Sequence, residues 1–153
     1  MSYKKEKVER IIRECDKHLL RIDDATVQMD EFMPLTTQDF QNLSKLQVQI
    51  IDQFLFRFAK LQDSIGERLF KTILLFLEED IRNKPFIDIL NRLEKLEILT
   101  SVEEWRSLRD IRNTLAHTYD DDPEELALAI NRIFSKKESL IAIYQKTKRY
   151  FEG

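Results

Sequence analysis

Two glycines and three prolines are all that interrupt 153 residues, while apolar side chains recur at steps of three and four. A chain so poor in turn-formers cannot make the many tight connections of a β-sandwich or barrel. It can make a few long helices, each burying one stripe against its neighbours. Ten phenylalanines and a large stock of Leu and Ile supply the core. A chain of this length buries roughly two-thirds of its unfolded surface on folding. The pattern predicts one all-α domain over residues 1–153, an up-down bundle of about five helices.

The stripes can be followed in turn. Val8, Ile11, Ile12, Cys15, Leu19 and Ile22 mark a first helix that ends before Pro34, because a residue ahead of proline avoids the helical region. Thr36, Thr37 or Gln38 opens a second, whose stripe runs Phe40, Leu43, Leu46, Ile50, Phe54, Phe58, Leu61 and Ile65. Gly66 then marks a kink or a close helix approach, with the kink preferred, before Leu69, Phe70, Ile73, Leu74 and Leu77 resume. Pro85 starts a third helix through Ile89, Leu93, Leu96 and Leu99. Thr100 or Ser101, with Glu103 or Glu104, caps a fourth that buries Trp105, Leu108, Ile111 and Leu115. Asp122 as N-cap, Pro123 as first residue and Glu125 as box partner open the last, with Leu126, Ile130, Ile133, Phe134, Ile141, Tyr144 and Phe151 inward.

Several chemistries find no foothold. Gly66 and Gly153 are the only glycines, so no glycine-rich phosphate loop exists. A di-iron bundle requires Glu-x-x-His pairs, and Cys15 and Thr114 stand where those glutamates would precede His18 and His117. Cys15 and His18 alone do not make a metal site, and a buried thiol beside a partly exposed histidine is the simpler assignment. No cofactor and no metal are expected. The single cysteine suits a reducing compartment. The amino terminus MSYKKEKVER has no apolar stretch behind it, and no run approaches the ~20 residues of a membrane helix. These features describe a soluble, cytoplasmic protein. The net charge of −3 leaves any RNA affinity to a local patch. The basic tail, Lys136, Lys137, Lys146, Lys148 and Arg149, is either such a track or, as is more usual near helix ends, a solvated face.

One stretch differs from the helical stripes around it: RDIRNTLAHTYDDDPEEL, residues 109–126. It gathers Arg109, Arg112, Asn113, His117 and Tyr119, then turns acidic. An arginine that neutralises phosphate and a histidine that moves protons are the minimum kit for metal-free RNA cleavage, because the 2′-hydroxyl supplies the nucleophile. Such chemistry needs positioning, charge stabilisation and proton transfer. Arg112 and His117 lie about 140° apart on an ideal helix, so they converge only if the helix loosens near Ala116. The alternative from residue types alone is that Arg112 pairs with an acid and His117 simply ends a helix. The acids from Asp120 to Glu125 favour the following helix's dipole, yet they would repel RNA near a cleft.

The letters RNTLAHTY resemble the signature of the HEPN superfamily, and within it the HepT-like branch, where tyrosine follows two positions after histidine. Arg112, Asn113, His117 and Tyr119 fall on that pattern, and the motif closes the penultimate helix as it does in that family. The resemblance spans about eight residues in letters and the whole chain in architecture. It implies a HEPN-like bundle acting as a homodimeric, metal-independent endoribonuclease, the toxin of a toxin–antitoxin pair, that leaves a 2′,3′-cyclic phosphate. It further implies His117 as general acid or base, Arg112 as the group stabilising the phosphorane, and Asn113 as an orienting group. Tyr119 takes the place of the residue that a cognate minimal nucleotidyltransferase antitoxin adenylylates. Arg109, one turn before Arg112, extends the basic patch.

Two other functions fit the same residues. One is a non-catalytic nucleotide- or substrate-binding subunit of a two-component nucleotidyltransferase, in which Arg112 and His117 grip phosphate. The other is a helical dimerisation module without ligand. Leu55, Phe56 and Phe76, off the main stripe of their helix, are the candidates for a dimer face.

Overall fold

The computed structural model describes residues 2–116 and 122–153, the side chains of residues 115 and 116 excepted. Among the described residues the structure is an all-α bundle without a strand. Its helices are α1 (Tyr3–Met29), α2 (Thr37–Gln41), α3 (Lys45–Ser64), a π turn (Ile65–Leu69) leading into α4 (Phe70–Phe76), α5 (Phe86–Lys95), α6 (Val102–Ala116), α7 (Pro123–Ser135) and α8 (Lys137–Glu152).

The most extensive helix pair is α1 against α3. Val8, Ile11, Ile12, Cys15 and Ile22 are buried as the stripe requires, but His18 joins them while Leu19 lies only partly inside. On α3 the stripe holds at Ile50, Phe54, Phe58 and Leu61, then passes through Ile65 and Leu69 of the π turn into Phe70, Ile73 and Leu74 of α4. Phe54 meets Phe58 and Phe134 at ring separations of 5.9 and 5.8 Å, and Phe70 meets Trp105 edge-on at 5.0 Å. Trp105, Leu108 and Ile111 are buried on α6; the Leu115 side chain, expected beside them, lies outside the described residues.

Two helix breaks and one helix start depart from the sequence reading. The expected seven-turn second helix is two helices. Thr36 and Asp39 cap α2 reciprocally, and a second capping box, Ser44 with Gln47, starts α3 only after a break at residues 42–44. Ser44-x-x-Gln47 satisfies backbone donors that a continuous helix would have bonded internally, and it turns Leu46 outward at 62% exposure. The last helix also divides, at Lys136 (φ −101°, ψ 2°), into α7 and α8. Beyond that point Leu140, Ile143, Tyr144 and Thr147 face the core, and Ile141 is only partly covered. Pro85 is the residue before α5 rather than its first member, with extended backbone. Two other caps form by their N-cap side chains: Ser101 Oγ accepts from the Glu104 amide, and the Asp122 carboxylate, just before Pro123, accepts from the Glu125 amide.

With so few glycines, two helix ends use glutamate in the left-handed region: Glu78 (φ 63°) after α4 and Glu97 (φ 62°) after α5. Each end closes as a Schellman motif, with Glu79 N–H donating to the Leu74 carbonyl and Ile98 N–H to the Leu93 carbonyl, both at 2.9 Å.

Gly66 sits within the π turn, where the Phe70 amide reaches back to the Ile65 carbonyl. A Cβ at Gly66 would lie 2.8 Å from Trp105 Cζ2, so glycine lets the indole of α6 come against this backbone. This glycine provides a close approach, the second of the two roles its position allowed, and does so within a π turn.

Candidate functional site

Trp105, Arg109, Arg112 and Asn113 follow one another at steps of four, three and one, and therefore line one face of α6. Opposite them, Gln62, Asp63, Gly66 and Glu67 occupy the end of α3 and the π turn. Between the two rows lies a cavity of about 340 Å³. Phe86, at the start of α5, and Lys71 on α4 complete its wall. Three of the residues singled out from the sequence, Arg109, Arg112 and Asn113, are thus brought together on one cavity. His117 and Tyr119 lie outside the described residues. The described part of α6 is helical up to Ala116, immediately before His117.

Arg112 is held from across the cavity. Its Nη2 donates to Asp63 Oδ2 at 3.1 Å, with both side chains about one-third exposed (34% and 38%). So Arg112 does pair with an acid, as one sequence-level alternative required. An ion pair this accessible contributes at most about 1 kcal/mol, so its main effect is to fix the direction of the guanidinium. Arg109 is exposed, with its guanidinium 5.4 Å from the centre of the Phe86 ring. The lining carries Lys71, Arg109 and Arg112 against Asp63 and Glu67, and Asp63 is already engaged by Arg112.

Residues lining the cavity carry an unusual number of unmet polar groups. Gln62 is 2% exposed, yet neither its Nε2 nor its Oε1 has a partner among the described residues. The Trp105 indole N–H and Arg112 Nε are likewise buried and unpartnered. An unmet buried donor or acceptor costs about 1–3 kcal/mol, and native structures keep few of them. Four of the five such side-chain atoms among the described residues lie on residues lining this cavity; the fifth, Glu104 Oε1, lies elsewhere, 3.9 Å from the Lys136 ammonium. Gln62 was missed from sequence, although a signal existed: it lies four residues from Phe58, on the buried side of α3, where a polar side chain is out of place. Asp63, Lys71 and Phe86 carried no such signal.

The other candidates resolve differently. The basic tail is largely tied down: Lys146 donates to Thr100 Oγ1 at 2.8 Å, Lys148 pairs with Asp16 at 3.1 Å, Lys137 lies 3.8 Å from the Phe134 ring centre, and Lys136 approaches Glu104 at 3.9 Å. These four lysines are partly covered and engaged within the protein, which is neither a free basic track nor a fully solvated face. Cys15 is fully buried, and burial, reinforced by Glu14 and Asp16, pushes its thiol up to about 12. His18 is buried rather than partly exposed, and its Nδ1 accepts from Arg57 Nη1 at 3.0 Å. Burial first and the Arg57 charge second hold its imidazolium form below the ordinary range. No cluster of metal-ligating side chains exists among the described residues. Of the proposed dimer-face residues, Phe76 is partly covered with its ring 5.1 Å from that of Phe151, Leu55 is also partly covered, and Phe56 is 55% exposed.

No family model, curated protein or solved structure matches this chain. No helix of the described residues is long and apolar enough to cross a membrane.

Proposed function

We propose that this protein is a metal-independent endoribonuclease, the toxin of a toxin–antitoxin pair, working in the cytoplasm as a homodimer. The observation that carries the proposal is the convergence of Arg109, Arg112 and Asn113 on one cavity, at the end of the helix that leads directly into His117. The 2′-hydroxyl of the substrate attacks its own phosphorus, giving a 2′,3′-cyclic phosphate and a free 5′-hydroxyl. His117 transfers the proton, Arg112 neutralises charge gathering on the phosphorane, and Asn113 orients the phosphate. Asp63 keeps the Arg112 guanidinium aimed before substrate arrives, which lowers the cost of organising the site. Two copies related by a two-fold axis double these sparse groups. A cognate minimal nucleotidyltransferase silences the toxin by adenylylating Tyr119, adding charge and bulk two residues from His117.

A second reading has an observation of its own. The unmet polar atoms of Gln62, Trp105 and Arg112 suit a site that grips a ligand, as in a non-catalytic subunit of a two-component nucleotidyltransferase. Growth separates the two. Overexpression of the parent arrests growth under the ribonuclease reading, and His117→Ala restores it. If neither form is harmful, the binding-subunit reading gains. If both are equally harmful, proton transfer by His117 is the wrong explanation.

A further inference from the structure

We propose that the cavity between α3, the π turn and α6 is a nucleobase pocket, with Gln62 reading the hydrogen-bonding edge of the base. The proposal deepens the ribonuclease reading by giving it a base subsite, and it rests on that reading only for the placement of phosphate at Arg112.

The first support is chemical. The Gln62 amide offers one donor and one acceptor side by side in a plane, both buried and both without a partner among the described residues. A glutamine amide matches an edge that carries an adjacent acceptor and donor, as adenine does with N7 and N6. A third polar group, the Trp105 indole N–H, is buried and unpartnered on the same lining. Purely apolar ligands would leave all of these unmet, and a bare phosphate needs donors only, leaving the Gln62 carbonyl oxygen without a use.

The second support is shape and surroundings. A volume of about 340 Å³ is in the range of small-molecule sites. The indole of Trp105 and the ring of Phe86 line it, and bases dock against such aromatic faces. Lys71, Arg109 and Arg112 supply positive charge on the same lining for the phosphate a nucleotide carries. Gly66 belongs to the device as well, since any side chain there would push against the Trp105 ring at 2.8 Å. A π turn inserted beside a cavity is a recurrent feature of functional sites.

The chain's only tryptophan is Trp105, so its fluorescence reports on the pocket directly. The purified full chain is titrated with AMP, GMP, CMP and UMP, and with a short RNA, for the parent, Gln62→Met and Gln62→Glu. The expected result is saturable quenching with AMP the strongest of the four, weakened about tenfold or more in Gln62→Met. Gln62→Glu presents acceptors only and shifts the ranking toward GMP, whose base carries adjacent donors, a change that a purely structural role would not produce. Competition by the RNA assigns the base to a polynucleotide, and its absence assigns the pocket to a free nucleotide. No saturable quenching by any of them up to about 10 mM overturns the proposal, as does quenching that both Gln62 variants leave unchanged. Cleavage is scored separately. A protein that cuts RNA without any Gln62 dependence keeps the ribonuclease and loses the pocket. A protein that binds nucleotide through Gln62 but cuts nothing does the reverse.

Discussion

Two polar regions of this bundle are built on opposite terms. Where α8 meets α1, the Tyr144 hydroxyl donates to Asp16 at 2.5 Å and lies 3.0 Å from the Ile12 carbonyl, while Lys148 pairs with the same carboxylate. Burial and the Asp16 hydrogen bond raise the phenol's pKa, keeping it a neutral donor. Asn131 on α7 likewise spans Leu35, accepting from its amide and donating to its carbonyl, each at 2.8 Å. On α3 and α6, Gln62 and Trp105 carry polar atoms that are more deeply buried than Asn131 or Asp16 and have no partner among the described residues. The bundle thus satisfies covered polar groups on α1, α7 and α8 and leaves others unmet on α3 and α6. That contrast teaches where folding ceases to be the sole constraint: local rules are broken where a site must be kept ready.

Substitutions that remove the polar group on each side sharpen the contrast. Asn131→Leu strips two hydrogen bonds and leaves the Leu35 amide and carbonyl unmet, so about 2–3 kcal/mol of stability should be lost in denaturant melts. A loss below about 0.5 kcal/mol would mean that the satisfied region is not structural. Gln62→Met keeps the volume and removes an amide that has nothing to bond, so stability should hold or rise by up to about 1 kcal/mol. A clear loss in that variant would place Gln62 among the structural groups and erase the contrast.

The smallest effect belongs to His18, which lies among satisfied groups but titrates. Its folded pKa lies below the ordinary 6.5, through burial first and then Arg57, with Glu14 opposing and Lys60 adding. Above that value both the folded and unfolded forms are neutral, and the contribution to stability is fully present. As the pH falls below it, the unfolded chain takes the proton first, so stability declines until the folded pKa is passed. The thermal midpoint of the parent should drop on acidification through this window more than that of His18→Gln. Parallel pH profiles would contradict the assignment.

Much of the bundle was legible because burial imposes a period on sequence. The stripes on α1, α3 and α6 hold at most positions, since a helix that buries one face must repeat at three and four. Helix division was less legible. Ser44 with Gln47 carries a capping signal inside an apolar repeat that masked it, whereas Lys136 carries no glycine, proline or cap to announce the break between α7 and α8. On the site, the arginines and Asn113 were found through a short motif and do share one cavity. Gln62 was not, because a polar residue on an apolar stripe reads as noise until the cavity beside it is seen. Asp63 could not be picked out among 28 acidic residues without knowing which one faces Arg112.

The most direct test of the account is cleavage of RNA by the purified protein in EDTA, beside Arg112→Ala and His117→Ala of verified helical content. Intact mass establishes beforehand that Tyr119 carries no adenylyl group. The account predicts cleavage by the parent that leaves 2′,3′-cyclic phosphate ends, with a fall of about a hundredfold or more in each variant. Unmodified, dimeric protein that leaves several RNAs intact would contradict it, as would variants that cut as fast as the parent.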